Sequence, residues 1–263
     1  MVLELLLRGL APVAAASLMF LHSQAAAIAV DACGALGDQG DAALVASNIE
    51  RFPAQGEAKR IAVVIVHGSS GLARFRDAYS AYARLLASHG ISAYLVDYYT
   101  EAEARTMTNG APAEFDYPAH VRCWIDRVSR AVDAVGRQES RDREVALLGF
   151  SQGARLSVAV ASMNRRVAAL ATLYGRLPRE EEMPATLRRL PPLLNLHGSQ
   201  DQQVPLQEGQ RLVEVTKKLG GPAELVVYPG EGHGFDFAEN TTSAADAHSR
   251  ILSFFLNRAT AGK

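Results

Sequence analysis

Three polar side chains with the chemistry for nucleophilic catalysis follow separate apolar runs along the chain. Ser151 comes first, Asp201 second and His233 last, each just beyond a predicted buried strand. A serine hydroxyl is too weakly acidic to attack an ester unaided, so a base must take its proton. An imidazole titrates near neutrality and can be that base, while a carboxylate fixes its tautomer and stabilises its cation. The order Ser, Asp, His therefore predicts a triad with Ser151 as nucleophile.

The residues around Ser151 favour a sharp turn between a strand and a helix. Segment 149–153 reads Gly-Phe-Ser-Gln-Gly and lies between the apolar run 143–148 and the helical run 154–163. Glycines tolerate the strained backbone and the close chain approach that such a turn requires. The turn would lift the serine hydroxyl above the sheet edge, as in a nucleophile elbow. By itself the pentapeptide also fits a strand-to-helix turn that the serine caps.

Acyl transfer also needs two N–H donors for the oxyanion that forms in the transition state. The amide of Gln152 would lie at a helix N-terminus, where negative charge is favoured. We expect the second donor to be the amide of Ser69, in the loop that follows the strand 61–66. His67, in the same loop, is predicted to hold the loop in shape rather than to react.

Two members of the predicted triad have a plain structural interpretation as well. Asp201 lies in a turn-like segment, and His233 could hydrogen-bond a loop carbonyl. Asp97 precedes Ser151 in the chain and Asp236 is very close to His233 in sequence, so neither is chosen as the acid. The placement of serine, aspartate and histidine at three strand ends favours the catalytic interpretation.

Alternating strands and helices must position these residues. The pattern predicts a mostly parallel sheet with helices on both faces, and sites in such sheets gather at the carboxyl ends of the strands. The predicted strands are 61–66, 91–96, 143–148, 167–173, 193–197 and 224–228, and the predicted helices are 77–88, 117–135, 154–163, 206–219 and 242–257. The connections 98–115 and 175–190 are expected to wall the substrate pocket. Arg74, Arg76 and Arg176 could bind a substrate carboxylate there, although solvated surface arginines are commoner.

Composition narrows the choice of partners. The chain has 263 residues, of which 48% are hydrophobic, and a net charge of −1. It therefore carries no bulk field that would draw it to nucleic acid or to an anionic membrane. No spacing of cysteine and histidine resembles a zinc site, and no cofactor is expected.

The first residues resemble a secretory signal peptide. Arg8 is followed by an uncharged, alanine-rich stretch, and small residues lie at cleavage spacing near Ala25–Ala27. We expect residues 1–27 to be removed on export to the periplasm or the exterior, leaving one domain over residues 28–263. A membrane anchor or a helical extension is the alternative, but the apolar stretch is short for the roughly 20 residues of a bilayer span.

Two cysteines could form a disulfide in an exported protein. Cys33 lies in the expected mature N-terminal segment, and Cys123 lies in a helix-like stretch. Two buried free thiols are the alternative.

Several motifs along residues 61–255 resemble the dienelactone hydrolase family of α/β-hydrolases. They are His67-Gly68-Ser69-Ser70-Gly71-Leu72, Ala87-Ser88-His89-Gly90-Ile91, Leu95-Val96-Asp97-Tyr98-Tyr99, Gly149-Phe150-Ser151-Gln152-Gly153-Ala154, Leu173-Tyr174-Gly175, Leu196-His197-Gly198-Ser199-Gln200-Asp201 with Val204-Pro205, and Tyr228-Pro229-Gly230-Glu231-Gly232-His233-Gly234-Phe235. The resemblance implies an α/β-hydrolase fold and a small-molecule ester or lactone as substrate. It also implies that nucleophile, acid and base are Ser151, Asp201 and His233.

The chain departs from that family at two positions. The founding enzymes have a cysteine where this chain has Ser151, and a glutamate where it has Gly68. A glutamate that acts on a thiol nucleophile has no such role beside a serine–histidine pair. Both departures therefore favour a general carboxylesterase. A peptidase or an acyltransferase could use the same triad, and a non-catalytic exported binding protein could share the fold. The oligomeric state is not indicated by the sequence.

Overall fold

The strand 61–66, which is the second strand in chain order, separates the core into two layers. Every residue of Ile61–Val66 is buried. Because successive side chains of a strand point to opposite faces, Val64 packs in one apolar cluster, whereas Val63 and Ile65 pack in the other. Each fully buried side chain of this kind contributes about 1.5–3 kcal/mol. A strand that is apolar on both faces requires helices on both sides of the sheet.

The computed structural model describes residues 48–109, 117–139, 143–182, 187–238 and 241–260. All of these belong to one compact unit. The predicted signal peptide 1–27 and Cys33 lie outside the described residues. Cys123 is buried and disulfide-bonded, so it is not a free thiol. No helix among the described residues is long and apolar enough to cross a bilayer.

Seven strands form one sheet in the order β1-β3-β2-β4-β5-β6-β7. They are β1 Ile49–Phe52, β2 Ile61–Val66, β3 Ser92–Val96, β4 Glu144–Phe150, β5 Val167–Leu173, β6 Leu193–Gly198 and β7 Ala223–Tyr228. β1 pairs antiparallel with β3, and every other pairing is parallel. The carboxyl ends of β2 to β7 therefore lie along one edge, as the sequence predicts.

Helices cover both faces of the sheet, which confirms the predicted fold class. They are α1 Gly71–Arg74, α2 Arg76–Ser88, α3 Glu101–Thr108, α4 Tyr117–Gln138, α5 Gln152–Met163, α6 Leu206–Lys218 and α7 Thr242–Thr260. The apolar stripes of α4, α5 and α6 join the cluster that contains Val64. Those of α2 and α7 join the cluster of Val63 and Ile65.

Among the described strands and α-helices, one strand and two helices are absent from the sequence prediction. β1 is a four-residue edge strand with two charged residues, so it has no apolar run. The predicted irregular connection 98–115 contains α3, whose start is a capping box between Thr100 and Glu103. The four-residue α1 lies in the loop after β2. The predicted strands and helices exist in the structure, and their ends differ from the predicted ones by at most three residues.

Candidate active site

Ser151 lies at a strained turn between β4 and α5. Its backbone has φ 53° and ψ −114°, a conformation that residues other than glycine rarely adopt. Close packing explains both flanking glycines. A Cβ at Gly149 would lie 2.6 Å from the Ala154 Cα, and one at Gly153 would lie 2.2 Å from the Val66 carbonyl oxygen. The turn that the sequence predicts around Ser151 is therefore present, and strain of this kind is typical of functional sites.

The three residues of the predicted triad meet at the carboxyl edge of the sheet. The Nε2 atom of His233 lies 2.9 Å from the Oγ atom of Ser151, and its Nδ1 atom lies 2.8 Å from Oδ2 of Asp201. The Asp201 side chain is fully buried, whereas 14% of the His233 side chain is exposed. A proton on Nδ1 would bond the carboxylate and leave Nε2 as the acceptor of the serine proton. The arrangement can activate a hydroxyl for attack on a carbonyl.

Asp201 is held by its own loop. Its Oδ1 atom accepts hydrogen bonds of 2.9 Å from the amides of Gln203 and Val204, which leaves Oδ2 for the histidine. The fully buried His197 supports the same loop, since its Nε2 atom lies 2.8 Å from the Val204 carbonyl oxygen. Burial lowers the pKa of His197, so the ring is neutral and donates this bond. The sequence prediction did not assign a role to His197.

Asp97 and Asp236, which the sequence does not favour as the acid, form hydrogen bonds to other residues. Asp97 places Oδ1 3.2 Å from Nε2 of His67. Asp236 is buried and accepts hydrogen bonds from the hydroxyls of Tyr82 and Tyr174. Burial raises the pKa of Asp236 to about 6. The carboxylate that contacts the triad histidine is therefore that of Asp201.

The loop after β2 brings Ser69 to the same cavity as Ser151 and His233. Gln152 is the first residue of α5, so its amide has no partner within the helix. Among the described residues, neither the Ser69 amide nor the Gln152 amide donates to another protein group. The anion-binding role predicted for these two amides stays a prediction.

His67 connects the loop after β2 to its surroundings, as the sequence predicts. The ring is fully buried and stacks on Tyr98 with 4.0 Å between the ring centroids. Its Nδ1 atom lies 2.8 Å from the Gly68 carbonyl oxygen, and Nε2 faces Asp97. These contacts position the loop and leave no nitrogen of His67 directed at Ser151.

A cavity of about 310 Å³ opens above Ser151. The described residues that line it are Gly68, Ser69, Ser70, Arg74, Phe75, Tyr79, Phe150, Ser151, Tyr174, Gln203, His233, Gly234 and Phe237. Described residues of the predicted walls, 98–115 and 175–190, do not line it, because the short segments after β2 and β7 form its sides. Of the three arginines considered, only Arg74 borders the cavity; Arg76 pairs with Glu50 at 2.5 Å.

The part of the chain that the structure describes has no cluster of histidine, cysteine, aspartate and glutamate that could hold a metal ion.

Comparison with protein families gives a match over most of the chain. Residues 51–258 match the model of the dienelactone hydrolase family. The curated "Putative carboxymethylenebutenolidase" of Escherichia coli (strain K12) is 24% identical over 147 residues, which are 52% of this chain and 51% of that protein. The chain thus spans about half the length of the curated relatives it matches.

Solved structures share the fold. A dienelactone hydrolase from Anabaena variabilis ATCC 29413 has a TM-score of 0.62 and 19% identity, over 80% of this chain and 90% of that chain. A Pyrobaculum calidifontis esterase has a TM-score of 0.61 and 20% identity, over 81% of this chain and 82% of that chain. At this identity the likeness shows the fold, which is the α/β-hydrolase fold that the sequence motifs imply.

Proposed function

Because the chain belongs to the dienelactone hydrolase family, we propose that it hydrolyses carboxylic esters or lactones through an acyl-enzyme on Ser151. The observation that carries the proposal is the continuous hydrogen-bonded path from Ser151 through His233 to Asp201. The path lies beside a cavity and near two amides that bond to no other described residue. A binding protein has no need of that combination.

The first half of the reaction forms the acyl-enzyme. Nε2 of His233 takes the hydroxyl proton as the Oγ atom of Ser151 attacks the carbonyl carbon. The buried carboxylate of Asp201 stabilises the imidazolium that results. The carbonyl oxygen becomes an oxyanion, which the amides of Ser69 and Gln152 stabilise. His233 then gives its proton to the leaving alcohol, and the ester C–O bond breaks.

The second half returns the enzyme to its starting state. Water replaces the alcohol, and His233 removes a proton from it as it attacks the acyl carbon. A second oxyanion forms in the same place, and the Oγ atom of Ser151 leaves with the proton from His233. The products are the carboxylic acid and free enzyme, and for a lactone the alcohol and the acid belong to one molecule.

The side chains near Ser151 favour ester hydrolysis of the serine type. A Cβ at Gly68 would lie 3.6 Å from the Cβ of Ser151, so a side chain at position 68 would contact the nucleophile. The related cysteine enzymes have a glutamate there, whereas the glycine of this chain places no side chain beside Ser151. A hydroxyl needs only the base His233, which supports a general carboxylesterase over a thiol-based lactonase.

The test is covalent labelling combined with turnover. The purified protein is incubated with a fluorophosphonate probe and, separately, with p-nitrophenyl acetate. We expect one label per chain on Ser151, a pre-steady-state burst of p-nitrophenol, and loss of both in Ser151→Ala. Ser162→Ala is the matched control, since Ser162 lies at the far end of α5. Equal labelling and turnover in Ser151→Ala and the parent would contradict the proposal.

We also propose that residues 1–27 direct export, on the basis of the sequence pattern alone. N-terminal sequencing of the protein from the periplasmic fraction should give a start near Ala25–Ala27. Recovery of protein that begins at Met1, from the cytoplasmic fraction only, would contradict it.

A further inference from the structure

The two residues proposed to bind the oxyanion are joined through one tyrosine hydroxyl. Nε2 of Gln152 donates a hydrogen bond of 2.7 Å to the hydroxyl of Tyr99. That hydroxyl donates in turn to the carbonyl oxygen of Ser69, at 3.2 Å. A single side chain from the segment after β3 therefore contacts both the loop after β2 and the start of α5.

The bond to Ser69 completes the restraint on the peptides that flank it. The Ser69 N–H shares a planar peptide with the Gly68 carbonyl, and the two point in opposite directions. The Gly68 oxygen accepts a 3.1 Å bond from the Gly71 amide and faces Nδ1 of His67. Tyr99 holds the next peptide through the Ser69 oxygen. With both peptides fixed, the direction of the Ser69 N–H is fixed as well.

Gln152 is held in the same way from its side chain. Its Oε1 atom accepts a hydrogen bond from Tyr117, and its Nε2 atom donates to Tyr99 and, at 3.1 Å, to Tyr98. The side chain is buried, so these bonds are made away from competing water. They restrain the first residue of α5, whose amide has no protein partner in the part of the chain that the structure describes.

Tyr99 is itself held rigidly. Its amide donates to Oδ1 of Asp97 at 3.2 Å, and the preceding carbonyl accepts a 2.9 Å bond from Arg127. Its ring meets Trp124 edge-on at 5.0 Å between centroids. Burial raises the pKa of Tyr99, so its hydroxyl keeps the proton that it donates to Ser69.

We propose that Tyr99 is a positioning residue that sets the distance and direction between the two oxyanion donors. The inference rests on the proposed function, because an oxyanion forms only if Ser151 attacks a carbonyl. Donors act only where they are aligned on the developing charge. Loss of the Tyr99 hydroxyl should therefore weaken binding of the transition state and leave binding of the ground-state ester unchanged.

Tyr98 provides a matched comparison. Its hydroxyl also accepts a hydrogen bond from Nε2 of Gln152, but it donates to the carbonyl oxygen of His67, at 3.1 Å. The N–H in that peptide belongs to Gly68 and is already bonded to the hydroxyl of Tyr79. Tyr98→Phe thus removes a buried hydroxyl next to Gln152 without releasing the peptides of Ser69. Tyr94→Phe removes a buried hydroxyl bonded to Glu139, away from the cavity.

The experiment compares steady-state kinetics and fluorophosphonate labelling of the full chain. In Tyr99→Phe we expect kcat for p-nitrophenyl acetate to fall about 10- to 100-fold with KM unchanged. The second-order rate of labelling should fall in parallel, while the final labelled fraction stays complete. Tyr98→Phe should lose less kcat, and Tyr94→Phe should match the parent. In the double variant Tyr99→Phe/Gln152→Leu the fall in kcat should be smaller than the product of the two single effects, because both changes remove the bond between Gln152 and Tyr99, whereas only Tyr99→Phe removes the bond to Ser69.

Two results would overturn the positioning role of Tyr99. The first is an unchanged kcat in Tyr99→Phe, or a higher KM alone. A lower labelled fraction with a lower melting temperature shows a purely structural role and overturns it too. If the parent protein neither labels at Ser151 nor turns over, the proposed function fails first and this inference falls with it.

Discussion

The hydroxyl of Tyr174 donates a hydrogen bond of 2.8 Å to the carboxylate of Asp236. Tyr174 has φ 45°, a left-handed conformation that costs free energy for a residue with a side chain. Its ring lies against His233, with 4.2 Å between the ring centroids. The second oxygen of Asp236 accepts a 3.0 Å bond from Tyr82. Asp236 thus anchors the aromatic surface on which His233 packs, although it makes no bond to that histidine.

The burial of Asp236 should make stability depend on pH. Its pKa is raised to about 6 by burial, whereas an aspartate in the unfolded chain titrates near ~3.9. Between these values the folded state binds the extra proton, so the stabilisation is present below about pH 4 and is lost as pH rises through about 6. Asp236→Asn cannot ionise. As pH falls from 7 towards 4, the free energy of unfolding of the parent should rise by about 2–3 kcal/mol relative to that of the variant.

Urea denaturation of both proteins at several pH values measures this difference and cancels the titration of all other groups. Asp246→Asn is the control, because the pKa of this half-exposed carboxylate is lowered by Arg250 rather than raised. A difference between the parent and Asp236→Asn that does not change with pH would contradict the assignment.

Asp201→Asn should disable the base without loss of the fold. Two backbone amides bind Oδ1 of Asp201, so an asparagine would keep its carbonyl oxygen there. Its NH₂ group would then face Nδ1 of His233 and force the proton onto Nε2, which could no longer accept the proton of Ser151. We expect kcat for p-nitrophenyl acetate to fall about 10⁴-fold.

Circular dichroism and urea denaturation establish whether Asp201→Asn is folded, and Asp246→Asn again serves as the control. A folded Asp201→Asn protein with kcat near that of the parent would show that Asp201 does not orient His233.

The strand ends that carry Ser151, Asp201 and His233 could be predicted because each feature is local. A buried apolar run followed by a glycine turn or a polar loop can be recognised in a short window of sequence. Parallel strands then bring these ends to one edge of the sheet. The sequence therefore predicted which side chains meet, and the hydrogen bonds of His233 agree with that placement. Their catalytic role stays a prediction until it is tested.

The supporting network could not be predicted, because it depends on how separate elements pack. Tyr99 and Gln152 are 53 residues apart and bond only because β3 and α5 reach the same edge of the sheet. The described part of α3 has mostly exposed and partly exposed residues, so it lacks the apolar stripe that predicts a helix. The feature of the sequence that indicates the start of α3 is the capping box of Thr100 and Glu103. The described residues of the predicted pocket walls do not line the cavity, because chain length between strands does not show which loop folds over the site.

Gly153 is a further position where a single methyl group should have a large effect. A Cβ there would lie 2.2 Å from the carbonyl oxygen of Val66 and 2.3 Å from that of His67, both backbone atoms. Gly153→Ala must therefore push α5 away from the loop that carries Ser69. We expect a loss of about 1–3 kcal/mol in the free energy of unfolding. The displacement of Ser69 should also lower kcat, since a shift of about 1 Å can cost about 10²-fold.

Gly232→Ala is the control for stability alone, because a Cβ at Gly232 would meet no described atom within 4 Å. Urea denaturation should place Gly232→Ala near the parent and Gly153→Ala well below it. Equal stability of the two variants would mean that α5 and the loop after β2 are not in the close contact described above.

The cavity above Ser151 should limit the size of the acyl group. At about 310 Å³, the cavity is at the small end of the range of about 300–1,000 Å³ for ligand pockets. Phe237 closes one side, with ring centroids 5.3 Å from Phe75, 5.2 Å from Tyr79 and 5.5 Å from Phe150. These rings leave room for a short or compact acyl chain. The parent should therefore prefer p-nitrophenyl butyrate to p-nitrophenyl octanoate.

Phe237→Ala should relax this preference, because it removes one aromatic wall and leaves the hydrogen bonds of His233 intact. We expect the ratio of kcat/KM for the octanoate to that for the butyrate to rise about tenfold, since a methylene group in an apolar pocket changes specificity by about 1–3 kcal/mol. Met163→Ala, which removes an exposed side chain outside the cavity, should leave the ratio unchanged. If Phe237→Ala lowers both rates equally, the ring serves the fold of the loop after β7 rather than the size limit. A parent that already prefers the octanoate would show that the acyl chain lies outside this cavity.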